Sequence, residues 1–377
     1  MRRESTVRVV IVGGGVAGAA TAWALARSGR AEVTVLEQEP QLGAHSTGRN
    51  AGILRTLTED PAGTALALET AAFLADPPPG FSEVPLLDPV GLVLVPAPGS
   101  EERVASWRAL KPAGSVEGLD RDSLRALLPH YRGTARGAVL ARDEGVIDTS
   151  ALLDGLVRAA REAGATFKTS SRVRELPRAT SSQVPRVRLD GGEELEADAV
   201  VIAAGGWAGE LARRAGSPLE FEPRRRHLLV TGADPRTDRR WPVLWSEPDG
   251  FYARPESGGL LLCACDEDRV EPGEPEARPA VRERIAEVAR RCLVGFDEAP
   301  AAHFWAGLRT FAADDGFAVG PDPEVPGLWW SAGLGGHGMS ASIGVGQLAA
   351  ARLLETPHDA EIARALDPRR LAALDRA

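Results

Sequence analysis

The sequence predicts an α/β chain in which a Rossmann-like dinucleotide-binding domain, three-layered around a parallel sheet, is interleaved with a mixed or antiparallel-sheet substrate domain. Three observations carry this. A strand, a glycine-rich turn, a helix and a second strand ending in an acid occupy Arg8 to Glu37. A second small-residue strand, Ala199 to Gly206, follows far down the chain. Between and after these lie strand-like runs broken by Pro, Gly and Asp. A chain of 377 residues exceeds one ordinary core. The nucleotide part is expected over 1–84, 141–215 and 306–377, and the substrate part over 85–140 and 216–305.

Val9 to Val12 is a short β-branched run suited to a buried parallel strand. Gly13, Gly15 and Gly18 follow in GxGxxG spacing. The first permits the tight turn, the second lets backbone approach a pyrophosphate, and the third lets the helix beginning at Val16 and Ala17 pack on the strand. Free amides at that helix start face phosphates. Glu37 ends the second strand where an acid accepts from a ribose 2′-hydroxyl and repels a 2′-phosphate, which disfavours NADP. Arg2 and Arg3 before an apolar stretch also resemble a signal peptide, but such h-regions do not carry glycines in dinucleotide spacing, and cleavage near Ala26 would discard the site.

Leu86 to Val95 and Arg226 to Cys265 read as strands of the substrate domain. Ile147 to Phe167 reads as an amphipathic helix leading to a strand, with Thr149 or Ser150 as N-cap. Val187 to Val201 reads as a hairpin turning at Asp190-Gly191-Gly192, before the buried strand from Ala199, whose small residues allow a second close approach to the nucleotide. Pro272 to Pro279 reads as an exposed loop and Ala280 to Cys292 as a charged helix. Near the C-terminus a strand from Leu328 to Ala332 leads into the turn Gly333 to Gly338, and a helix starts between Met339 and Ser342. Its amides and positive dipole end suit the electron-rich edge of a flavin.

A formal net charge of −9 gives no reason to expect nucleic acid, and no run of about 18 apolar residues free of glycine and charge predicts a membrane span. The composition is that of a soluble, cytoplasmic protein. Cys263, Cys265 and Cys292 are too few and too badly spaced for a disulfide framework or a metal site, so no metal is expected. Cys263 and Cys265 alternate along an expected strand, one facing the core. Of 44 Lys and Arg residues, only Lys111 and Lys168 are lysines.

With these motifs the chain resembles the D-amino-acid oxidase family of FAD-dependent oxidoreductases, and within it the D-arginine dehydrogenases. The resemblance spans nearly the whole chain. It rests on Gly13 to Gly18 with Glu37, His45-Ser46-Thr47-Gly48-Arg49, Pro77 to Leu87, Pro223 to Arg226, Gly250-Phe251-Tyr252, Trp305 to Arg309 and Gly335 to Met339. It implies noncovalent FAD lying extended through the Rossmann domain. Gln38, Asn50, Ala51, Gly52, Val173, Ala204, Gly205 and Trp207 join the motif residues around it, with Gly335, Gly336, His337, Gly338 and Met339 beside the flavin. It implies hydride transfer from the Cα of an amino-acid-like substrate to flavin N5, the imine then hydrolysing to a keto acid. Arg309 and Arg226 would clamp a carboxylate, Tyr252 would add a hydroxyl, and Arg55 is a further clamp by likeness to sarcosine oxidases. Arg309 would also border the cofactor. His337 is read as a spacer or hydrogen-bond donor before a base.

Departures bear on the substrate. D-arginine dehydrogenases carry a glutamate where this chain has Leu92, a histidine where it has Ile53, and a tyrosine where it has Thr58. A neutral or apolar side chain is therefore expected, with an acidic one the second possibility. Gly307 stands where sarcosine oxidases tether flavin to a cysteine, and Cys263 and Ser340 where they carry lysines. The electron acceptor is O2 or a quinone, with the quinone favoured. Competing readings are an NAD-dependent dehydrogenase, a flavin monooxygenase, a noncatalytic flavoprotein subunit, and an oxidase of N-alkyl amino acids or 2-hydroxy acids.

Overall fold

In the computed structural model, which describes residues 6–133, 135, 137–176, 185–296 and 299–374, the opening motif forms strand Val7–Val12, helix Val16–Ala26 and strand Ala31–Leu36. These strands are central to a six-stranded sheet. Its order is Ala318–Pro321, Leu328–Ala332, Ala199–Ile202, Val7–Val12, Ala31–Leu36, Thr166–Lys168. Every pairing is parallel except the edge strand Ala318–Pro321, antiparallel to its neighbour. Strands buried on both faces read as continuous β-branched and small residues, which is why VVIV and AVVI were legible. Helices Val16–Ala26, Thr149–Glu162 and Ser342–Leu353 cover one face. A three-stranded antiparallel sheet (Val173–Glu175, Arg186–Leu189, Glu194–Glu196) and helix Ala208–Ala215 cover the other.

A ten-stranded mixed sheet forms the second layer system. Its spine is the long pair Phe221–Thr231 and Ala301–Ala312, antiparallel over their whole length. Strands Gly259–Cys263, Phe251–Glu256 and Val243–Ser246 continue it as a meander, and Val243–Ser246 then pairs in parallel with Leu92–Val95. Helices Arg121–Leu127 and Pro279–Cys292 bury its back face. The front face carries Trp245, Tyr252, Cys263, Leu228 and Trp305 as successive cross-strand neighbours, since residues paired across a ladder share a face.

Several local expectations are corrected. Helix Thr149–Glu162 is capped by Asp148, whose Oδ1 accepts from Ala151 N at 2.8 Å, and not by Thr149 or Ser150. Strand Gly259–Cys263 ends before Cys265, whose φ of +46° turns the chain out of the sheet, so the two cysteines do not lie along one strand. Ala301–Ala312 runs unbroken through position 306 within the large sheet. The glycine-rich turn contains a short strand, Leu334–Gly335, that pairs with Phe311 and Thr310 and so ties the two sheets together.

Candidate functional site

At the nucleotide end each glycine has a measurable reason. A Cβ on Gly13, whose φ is +114°, would lie 2.4 Å from the Ala203 carbonyl oxygen, and one on Gly18 would lie 1.9 Å from that of Gly13. A Cβ on Gly15 would approach only Thr47 Oγ1, at 3.1 Å, so protein packing leaves that side open. Glu37 Oε2 accepts from Gly14 N at 2.7 Å and Oε1 from Glu39 N at 2.9 Å, which fixes the carboxylate beside the turn. Thr47 Oγ1 accepts from Val16 N at 3.0 Å and keeps its own proton to donate at the helix N-terminus.

These groups open onto a cavity of about 1120 Å³, mouth included. Of the residues expected at a cofactor, Gly13, Gly15, Val16, Ala17, Glu37 and Gln38 line it, as do His45, Ser46 and Thr47. Val173, Ala204, Gly205 and Trp207 form its far wall, and Gly335 and Gly338 one end. Two buried polar atoms on the wall, His45 Nδ1 and Thr310 Oγ1, have no hydrogen-bond partner among the described residues. Orphaned atoms of this kind call for a polar ligand. An extended dinucleotide fits this donor set: amides at a helix start for a pyrophosphate, a fixed acid for a ribose, and two unmatched polar atoms along the path.

Other expected cofactor residues do not line the cavity. Gly18 packs the helix on the strand, while Gly48, Arg49, Asn50, Ala51 and Gly52 form a structural crossing. Asn50 Oδ1 accepts from Gly52 N at 2.6 Å, Ala51 O accepts from Arg254 Nε at 2.7 Å, and the Arg49 side chain pairs with Glu274. Gly336 is outside the lining, Met339 is buried in the core, and His337 turns towards Arg55.

The pleat of strand Ala301–Ala312 puts Thr310 in the cavity and Arg309 on the opposite face, level with Arg224 and two pairs from Arg226. Arg309 is buried. It donates from Nη1 to its neighbour Leu308 O at 2.9 Å and from Nη2 to Arg49 O at 3.3 Å, and no ion pair to it occurs among the described residues. Burial pulls its pKa below the ordinary arginine value. Arg226 donates from Nε to Asp266 O at 2.8 Å and pairs with Glu267. Arg55 lies over the Trp245 ring at 4.4 Å and donates to Glu59 Oε1 at 3.1 Å, with Nε and Nη1 lacking hydrogen-bond partners. Trp245 stacks on Tyr252 with centroids 4.7 Å apart. Tyr252 is buried, its pKa is pushed well up by desolvation, and it pairs across the ladder with Cys263.

A family model for FAD-dependent oxidoreductases, the DAO family, matches residues 8–352. The chain belongs to that family. It is 26% identical to a glycine oxidase of Bacillus licheniformis, over 97% of this chain and 98% of the relative. It is 27% identical to FAD-dependent oxidoreductase domain-containing protein 1 of Bos taurus, over 92% of this chain and 81% of the relative. Its fold is that of the L-proline dehydrogenase of P. horikoshii, with a TM-score of 0.85 at 19% identity, over 98% of this chain and 99% of that one. FAD is therefore the dinucleotide of this DAO-type fold. No helix among the described residues is long and apolar enough to cross a membrane.

Several contributors were missed in the sequence. Thr310 and Arg172 line the cavity, Glu59 closes on Arg55 and His337, and Trp245 underlies Arg55. Pleat parity within Trp305–Thr310 could have flagged Thr310; Glu59 carries no motif, and although Arg55 is four residues back, its other partner, His337, comes from 278 residues away.

Proposed function

We propose that this oxidoreductase oxidises the Cα–N bond of a small amino acid or N-alkyl amino acid carrying a free carboxylate, with glycine-like and neutral D-configured side chains favoured. One observation carries the reading: among the three arginines expected to clamp a carboxylate, only Arg309 has no acidic partner. Arg226 is neutralised by Glu267, and Arg55 by Glu59 at 3.1 Å and Glu247 at 3.8 Å. A buried cation bonded only to carbonyl oxygens is costly until a ligand brings an anion to it. The similarity to a glycine oxidase agrees with an amino-acid donor.

FAD supplies the two-electron acceptor. The protein's contribution is orientation: a carboxylate on Arg309 fixes one end of the substrate, and the apolar walls Trp245, Trp305 and Leu228 exclude water around the other. His337 acts as a hydrogen-bonding spacer, since burial and the Arg55 charge hold its ring neutral. Lys111 is tied to Asp143 and Glu144, and Lys168 to Glu193, so neither is available at the clamp face. That supports a quinone-type acceptor over O2.

Anaerobic mixing with a panel of D- and L-amino acids, glycine, sarcosine and 2-hydroxy acids, watched at the flavin absorbance, tests the reading. Bleaching by glycine, sarcosine or a neutral D-amino acid is expected. Bleaching only by 2-hydroxy acids, or by basic D-amino acids ahead of neutral ones, would overturn it.

A further inference from the structure

Cys263 and Cys265 lie on the clamp face and have no part in the reaction proposed above. Cys263 is the last residue of its strand, paired with Tyr252 and fully buried. Cys265 N donates to Cys263 Sγ at 3.3 Å, and the left-handed φ of Cys265 turns the chain away from the strand at that point. Tyr252, the cross-strand partner of Cys263, lies on the same face, and the Arg226 guanidinium adds a positive charge that favours the anion of this sulfur. A thiol that merely fills a core has no use for a backbone donor and a neighbouring cation. This is the environment that stabilises a thiolate, and these influences together hold the Cys263 thiol well below its ordinary range despite burial. The neighbouring Cys263 sulfur and burial push the Cys265 thiol well up, which keeps it protonated. Cys292 provides the contrast: burial and Asp249 push it up to about 12.

We propose that Cys263 and Cys265 form a reversible redox modification site, in which Cys263 is the sulfur oxidised by a hydroperoxide and Cys265 is the resolving thiol. The Cys263 thiolate attacks one peroxide oxygen; the S–O bond forms, the O–O bond breaks, and hydroxide leaves, taking the Cys265 proton to become water. Cys263 is oxidised by two electrons to a sulfenic acid and the peroxide is reduced. The Cys265 thiolate then attacks Cys263 sulfur, forming the S–S bond and breaking S–O. The departing hydroxide takes a proton from solvent as the second water. Residues two apart have Cα atoms within about 7 Å, which overlaps the roughly 4.4–6.8 Å that a bridge requires. Cys265 is only partly buried, unlike Cys263, and its side is where a small oxidant would enter. The site is independent of which amine is oxidised.

The test treats the reduced holoprotein, under argon, with stoichiometric hydrogen peroxide and follows native thiol titre, intact mass and peptide mapping. The expected result is a loss of about 2 Da with a Cys263–Cys265 bridge reversed by dithiothreitol, formed about tenfold or more faster than any oxidation of Cys292. Cys265→Ser should stop at a gain of about 16 Da, trapped by dimedone on Cys263, and Cys263→Ser should not react. Oxidation of Cys292 at an equal or greater rate, or no bridge in the mapped wild-type peptide, would overturn the proposal whether or not either variant folds.

Discussion

Arg55 Nη2 and His337 Nε2 are 3.0 Å apart, joining the loop after strand Ile53–Leu54 to the glycine-rich turn. Glu59 Oε2 reaches the same nitrogen at 3.1 Å. A guanidinium only donates and a carboxylate only accepts, so the two contacts compete: a bare Nε2 serves Arg55, a protonated one serves Glu59. Burial first, and the Arg55 charge second, lower the His337 pKa, while Glu59 raises it. If substrate oxidation needs the neutral ring, the acid limb of the bleaching rate lies below pH 6.5, the ordinary histidine value. Glu59→Gln removes the raising influence and should move that limb to lower pH. A limb that stays or moves up in stopped-flow profiles would count against this coupling.

Truncating Arg309 removes the anion's partner. Arg309→Ala should cost about 2 to 5 kcal/mol of substrate binding and orientation, roughly thirtyfold to several thousandfold at low substrate, with FAD content unchanged. Arg309→Lys should recover only part, since one ammonium cannot reproduce the fork. Anaerobic flavin reduction measures both, and full activity of the alanine variant would remove Arg309 from the clamp.

The two motif glycines should fail differently. Gly18→Ala forces a Cβ into the Gly13 carbonyl and should lower the melting temperature of the apoprotein. Gly15→Ala meets only a hydroxyl at 3.1 Å, so it should melt like wild type yet bind FAD at least about tenfold more weakly. Thermal melts and FAD titration of the apoprotein separate these outcomes; identical behaviour of the two variants would contradict the assignment.

His130 stacks against Trp241 at 3.9 Å, and desolvation lowers its pKa from 6.5 to about 4. Below pH 6.5 the unfolded chain takes up a proton that the folded one refuses, so stability should fall as pH drops from 6.5 towards 4. The loss from this residue is at most about 3 kcal/mol. His130→Phe should flatten the slope of chemical-denaturation stability over that window. An unchanged slope would mean that the folded protein accommodates the charge.

A Cβ on Gly307 would lie 2.8 Å from the Arg49 carbonyl oxygen and 3.2 Å from Arg309 Nη1. No tethering side chain fits there without displacing the clamp. Denaturation followed by filtration should therefore release all of the flavin as FAD; flavin retained on the polypeptide would be inconsistent with this packing.

The nucleotide end was legible because its signals are local. The turn at Gly13 to Gly18, the acid at Glu37 and the buried runs Val9–Val12 and Ala199–Ile202 each follow from backbone sterics or strand burial within a few residues. Family motifs likewise carried the expectation of Arg309, Arg226 and Tyr252. What the sequence could not determine depends on long-range pairing. Only the register of Phe221–Thr231 against Ala301–Ala312 places Arg309 apart from the acid that neutralises Arg226, and only the pairing of strands Phe251–Glu256, Gly259–Cys263 and Phe221–Thr231 sets Tyr252 and Arg226 on the face of Cys263. Charge compensation is a property of three-dimensional neighbours, so which arginine is left for a ligand was decided by the tertiary structure.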